Sequence, residues 1–141
     1  EHSRERLDSV ELLPFRRLIA DGVEMVMTGH LAVPALDASG MPASVSRPIN
    51  SFLRDSLGFQ GVIVTDGMGM KGVTDYFSGD QVAACIAAYR AGADLILALS
   101  RTVEVIDAIT ARVESGEFPM EELDEKVYRV LRLKQSLGLI Q

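Results

Sequence analysis

The sequence contains one cysteine, two histidines and no tryptophan, and its 14 Lys and Arg are outnumbered by 20 Asp and Glu. Cys85 has no partner for an internal disulfide, and no cysteine–histidine cluster has the spacing of a zinc site. A net charge of -6 gives no basic patch to displace counterions from phosphates, so nucleic acid is not an expected partner. No run approaches the roughly 20 apolar residues that a bilayer-spanning helix needs, so no membrane is expected. The first eleven residues are charged and polar, unlike a signal peptide, which leaves the compartment open and slightly favours the cytoplasm.

What is present is ordinary for a globular chain. The 141 residues are 48% hydrophobic and 24% charged, a length and composition for one domain, residues 1–141, with a buried core. The apolar spacing alternates between helical and strand-like. Residues 8–20 read as a helix interrupted by Pro14, with Leu12, Phe15 and Ile19 on one face. Residues 24–28 are a short apolar strand. A long loop with Pro34, Gly40 and Pro42 follows, then a helix over 48–57 that stops at Gly58.

Residues 61–65 form a β-branched strand bounded by Gly61 and Asp66-Gly67, followed by a polar loop to Ser78. Ser78 and Gln81 fit a capping box for a helix carrying Val82, Ile86 and Tyr89, and Cys85 reads there as a small core residue. Residues 94–99 read as a third strand. Residues 101–115 read as a helix with Val103, Ile106, Ile109 and Val113 inward, and a last helix starts near Pro119. Near-continuous apolar strands are those buried on both faces of a parallel sheet, so the fold class is α/β. Three strands are few for a closed barrel, which takes eight strands and about 250 residues.

In α/β folds the chemistry sits in the loops after the strands' carboxyl ends. Asp66 directly follows the middle strand, and His30 lies just past the first. Asp94 begins a strand and reads as structural; Asp37 and Asp75 lie further out in loops. For Asp66 two readings stand: an Asp that opens its own turn, or a carboxylate aimed at a substrate. His30 reads either as a hydrogen-bonding scaffold residue or as a substrate contact. Residues 67–72 match G-x-G-x-x-G, but the expected helix opens at Ser78 rather than at the glycines. The acid 28 positions beyond Asp66, Asp94, starts a strand instead of ending one, so dinucleotide binding is disfavoured.

The stretch Leu57-Gly58-Phe59-Gln60-Gly61-Val62-Ile63-Val64-Thr65-Asp66, with Met70 four residues on, resembles the nucleophile signature of family 3 glycoside hydrolases. Val26-Met27-Thr28-Gly29-His30, with Pro34, Asp37 and Pro42-Ala43-Ser44-Val45-Ser46, is similar to the preceding strand and loop of the family's β-N-acetylhexosaminidase branch. Arg90-Ala91-Gly92-Ala93-Asp94 and the residues to Leu99 resemble its final strand.

The resemblance implies a partial (β/α) TIM barrel, with the three parallel strands equivalent to strands 6–8. It implies a retaining β-glycosidase that removes terminal β-linked N-acetylglucosamine, in cell-wall recycling or chitin-oligomer breakdown. Asp66 would be the catalytic nucleophile, His30 and Met70 would contact substrate, and neither metal nor cofactor is needed. The β-glucosidase branch and a non-catalytic barrel fragment are the alternatives. The branch's acid/base stretch, Lys-His-Phe-Pro-Gly-His-Gly, is absent from this sequence. Retaining hydrolysis needs both an attacking and a protonating group, so the chain alone is expected to be inactive. Its open sheet edge is a candidate surface for self-association.

Overall fold

The computed structural model describes residues 2–141. In chain order its helices and strands are α1 (Arg4–Arg6), α2 (Leu13–Ala20), β1 (Met25–Thr28), α3 (Arg47–Ser51), β2 (Val62–Thr65), α4 (Lys71–Thr74), α5 (Gln81–Ala91), α6 (Thr102–Glu114) and α7 (Met120–Ser136). β1 and β2 pair in parallel, with Met25 opposite Val62 and Thr28 opposite Thr65. All four residues of β2 are buried, as suits a strand covered on both faces.

The pairing of β1 and β2 depends on Gly61. A Cβ there would lie 2.3 Å from the carbonyl oxygen of Glu24 and 2.7 Å from the Phe59 ring. The Val62 N–H donates to the same Glu24 carbonyl at 2.9 Å, so the two chains meet at the entrance of the ladder. Gly58 has a left-handed φ of +70° and ends the preceding helical segment.

The expected third strand does not form as one. Leu95 makes an isolated parallel bridge to Val64, and the Thr65 N–H reaches the Leu95 carbonyl at 3.0 Å. One step on, the Leu97 N–H donates to the Thr65 hydroxyl at 3.1 Å instead of to the backbone. Ala98 then turns into the left-handed region at φ +55°. A side-chain acceptor and a turn thus interrupt the ladder, leaving a two-stranded sheet with a third segment alongside.

Helix boundaries also depart from the sequence pattern. The expected single helix over 8–20 is α1, a wide π turn over Leu7–Glu11, and α2. Pro14, in the first turn of α2, has no N–H, and its ring excludes the carbonyl four residues back in a regular α-helix. α3 likewise runs into a π turn over Phe52–Ser56. The expected face of α6 holds in its second half, where Ile109 and Val113 pack inward, but not in its first, where Val105 is buried and Val103 and Ile106 are exposed. A one-turn α4 opens after Met70, inside the segment read as loop.

α5 carries the core. One side presents Ala84, Cys85 and Ala88 to Val45, Met68, Val73 and Ala93. The other presents Ile86 and Tyr89 to Phe118, whose ring stacks on Tyr89 at 4.6 Å. Beneath the sheet, Asp94 has no exposed side-chain surface. It accepts from Arg54 Nη2, from Arg129 Nε at 2.9 Å and from the Ile63 N–H at 2.8 Å. Arg54 also reaches the Phe59 and Gly61 carbonyls, so one guanidinium holds the approach to β2 and the start of the third segment together. No helix among the described residues is long and apolar enough to cross a membrane.

Candidate active site

Asp66 leaves the carboxyl end of β2, with its N–H bonded to the Thr28 carbonyl at 2.9 Å. The next two residues are tied to the neighbouring segments. The Gly67 carbonyl accepts from the His30 ring at 2.9 Å, and the Met68 N–H reaches the Leu97 carbonyl at 3.0 Å. The Gly67 N–H donates to Asp66 Oδ1 at 2.7 Å, which orients the carboxylate. Oδ2 accepts no hydrogen bond from the described residues, and the residue is half-buried. Both readings of Asp66 therefore have a structural counterpart: one oxygen belongs to the turn, and the other is unengaged.

His30 is held at both nitrogens. A carbonyl only accepts, so Nε2 carries the hydrogen that bonds Gly67. Nδ1 lies 2.7 Å from the Ser44 hydroxyl, and in the neutral ring it accepts that hydroxyl's hydrogen. Ser44 is fully buried, so the histidine connects the loop after β1 to the loop carrying Asp66. These are the bonds of a scaffold residue. Gly72 presses on the same side chain: a Cβ there would sit 2.9 Å from both the Cβ and the carbonyl oxygen of His30.

Met70 is 51% exposed, with its side chain over Gly67. Asp66, His30 and Met70 are thus brought together around one residue, Gly67. Asp37 lies outside this group. It accepts from the Ser46 hydroxyl at 2.6 Å and the Ser39 N–H at 3.0 Å, bonds that hold its carboxyl below the ordinary range. Ser46 caps α3 in turn, so Asp37 fixes the loop and the helix behind it. Asp94 is at the opposite end of β2 from Asp66, buried between two arginines.

The sequence pattern missed two members of this arrangement. Ser44 gives no signal of its own before folding sets it against His30. Gln81 was expected to complete a capping box with Ser78. Asp80 caps α5 instead, accepting from the Ala83 N–H at 3.0 Å, while Ser78 is left-handed at φ 53°. Gln81 turns towards the loop carrying Asp66.

A cleft of ≈ 710 Å³ lies beside β1, and Asp66 is not among the residues that line it. Leu12, Phe15, Met27, Leu31, Leu36 and Phe52 are among its apolar walls. Among the described residues no three His, Cys, Asp or Glu side chains converge to hold a metal.

A parallel strand pair with a carboxylate at its exit, tied by backbone bonds to both flanking loops, defines an α/β segment of the kind that places catalysis at its strand ends. The chain belongs to glycosyl hydrolase family 3: residues 1–133 match the model of the glycosyl hydrolase family 3 N terminal domain. It is 32% identical to beta-hexosaminidase A of Pseudoalteromonas piscicida, over 97% of this chain and 26% of that protein. It is 36% identical to a beta-N-acetylglucosaminidase/beta-glucosidase of Cellulomonas fimi, over 89% of this chain and 24% of that one. Among solved structures it is similar to a family 3 beta-N-acetylglucosaminidase from Paenibacillus sp. str. FPU-7, with a TM-score of 0.87 and 42% identity. That match covers 95% of this chain and 26% of the other. The chain spans about a quarter of the length of these relatives.

Proposed function

We propose that the chain is the nucleophile-bearing part of a retaining β-N-acetylhexosaminidase, with Asp66 as the nucleophile. Its strands would be the last of a (β/α) barrel. In this reading the free Asp66 oxygen attacks the anomeric carbon of a terminal N-acetylglucosamine. The bond from that carbon to the leaving oxygen breaks as an acid protonates the oxygen. Water, deprotonated by the same group, then releases the sugar and frees the carboxylate.

The observation that carries the reading is the hold on Asp66. It is fixed by backbone bonds at the end of a buried strand, with one oxygen oriented by Gly67 and the other unengaged. A nucleophile has to be pre-aimed in this way, because reacting atoms are brought within about 3–3.5 Å. Met70, exposed above Gly67, would touch the sugar in this reading. His30 serves the substrate through the loop it holds. The proton donor comes from outside this sequence, and no cofactor takes part.

The test is turnover of a chromogenic N-acetylglucosaminide by the protein as its host makes it, beside its Asp66→Asn variant. A loss of at least about a thousandfold is expected. A mechanism-based fluorinated glycoside should leave its sugar on the peptide containing Asp66. Label on any other carboxylate would overturn the assignment.

The 141 residues alone should show no turnover, because they supply one of the two groups the reaction needs. β1 has one edge unpaired among the described residues, and Met25 and Met27 are exposed on one face of it, Met27 lining the apolar cleft. Such an edge recruits another strand, so the isolated chain should self-associate. A sharp monomer mass at micromolar concentration would argue against this.

A further inference from the structure

We infer that Gln81 is a positioning residue for Asp66, fixing the loop that carries the carboxylate to the loop that follows the third strand-like segment; this rests on the reading of Asp66 as nucleophile. Gln81 is the first residue of α5 and only 6% exposed. Its side chain takes no part in capping its own helix, which Asp80 does. Oε1 accepts from three donors at 3.0 Å: the Ser100 N–H, the Ser100 hydroxyl and the Arg101 N–H. The other end, Nε2, donates to the Met68 carbonyl at 3.3 Å. This orientation is fixed by chemistry, since the reversed amide would face three donors with its NH₂ and a carbonyl with its oxygen.

The consequence reaches Asp66 through two residues. Met68 is bonded at both its polar groups: its N–H to the Leu97 carbonyl at 3.0 Å and its C=O to Gln81. Asp66 is bonded at its N–H to the Thr28 carbonyl, and the Gly67 carbonyl between them is held by His30. Gly67 and Gly69 flank Met68, and glycine is the residue least able to hold a conformation by itself. External bonds must therefore supply the rigidity that these positions lack. Gln81 is the one that joins the Asp66 loop to the start of α6, so it sets where the turn, and the carboxylate oriented by the Gly67 N–H, lies between the flanking loops.

Two variants separate its ends. Gln81→Glu keeps an acceptor for Ser100 and Arg101 but, once ionised, has no hydrogen for the Met68 carbonyl, and it regains one on protonation. Gln81→Met removes both ends at nearly constant volume. The measurements, on the protein as its host makes it, are the ¹⁵N shift of Gly69, whose amide follows the Met68 carbonyl, the exchange protection of Ser100 and Arg101, and kcat and KM on a chromogenic N-acetylglucosaminide.

For Gln81→Glu in its ionised form we expect the Gly69 signal to move while Ser100 and Arg101 stay protected. We expect kcat to fall roughly tenfold or more with KM within about twofold, as misplacement of a reacting group does. The Gly69 shift should return towards that of the parent chain on protonation. Gln81→Met should release both loops.

Two results overturn the inference: Gly69 and kcat unchanged in Gln81→Glu, or a kcat loss accompanied by signals displaced throughout the fold in both variants. The underlying reading fails separately, if Asp66→Asn keeps its turnover. Loss of turnover in Asp66→Asn with an unaltered Gln81→Glu sinks only the role given to Gln81.

Discussion

His30 Nε2 donates to the Gly67 carbonyl across 2.9 Å, joining the loop after β1 to the residue next to Asp66. The bond spans 37 positions of sequence, and Gly72 closes on it from the side. Gly72→Ala would place a methyl 2.9 Å from the His30 backbone oxygen, a contact that backbone cannot relieve by rotating a side chain. It should cost about 1–3 kcal/mol. His30→Ala should cost a similar amount, because Ser44 is fully buried and would lose its partner. Urea denaturation measures both, with a lowered midpoint at an unchanged slope as the expected signature. A midpoint within error of the parent chain in both variants would remove the scaffold role given to His30.

At the other end of β2, Asp94 faces Arg54 and Arg129 with no exposed surface. Removing the carboxylate strands two guanidinium groups that are themselves mostly covered. Asp94→Ala should therefore destabilise by about 3–5 kcal/mol. The partners that remain decide the size of the loss. Arg54 keeps its two carbonyl bonds, whereas Arg129 retains only the exposed Glu125 at 3.6 Å. Thermal unfolding of Asp94→Ala beside Arg129→Met checks this. The arginine variant should lose less, since it leaves Asp94 with Arg54 and the Ile63 N–H.

Much of this was legible in the sequence, and the parts that were not have physical causes. The run from Leu57 to Asp66 carries its own explanation: Gly58 supplies a left-handed φ, Gly61 makes way for the Glu24 carbonyl, and four buried residues form β2. The structural role of Asp94 followed from its place at the start of a segment. The third strand could not be foreseen to break, because an apolar run does not reveal that a Thr65 hydroxyl will take the Leu97 N–H. The first turns of α6 depart from the helical period for a similar reason, while Ile109 and Val113 pack inward as it predicts. Val103 and Ile106 satisfy the helical period, yet nothing among the described residues covers them. Ser78 and Gln81 had capping-box spacing, but Asp80 offered a closer acceptor and released Gln81 for a longer reach.

Two buried groups make the fold sensitive to alkali. Burial raises the Cys85 thiol from 9.0 to about 11 and the Tyr89 phenol from 10.0 to about 12. Both folded values exceed the unfolded ones, so between them the native state holds more protons than the unfolded chain. Stability is complete below pH 9 and falls as the pH rises through the two windows. For Cys85 the loss should reach about 2 kcal/mol by pH 10.5. Denaturant midpoints at pH 7 and pH 10.5 measure it. Cys85→Ala should have a lower midpoint at pH 7 and a shallower fall above pH 9; an equal fall in both chains would assign the sensitivity elsewhere.

Ala98 holds a left-handed φ of +55° where the third segment turns away from β2. For a residue with a Cβ that conformation costs about 1–2 kcal/mol, against the roughly 0.5–1 kcal/mol that glycine loses by being more flexible when unfolded. Ala98→Gly should thus stabilise the chain, by about 0.5–1 kcal/mol. A raised urea midpoint is the expected result. A lowered midpoint would mean that the Ala98 methyl contributes more through its packing than its backbone loses in strain.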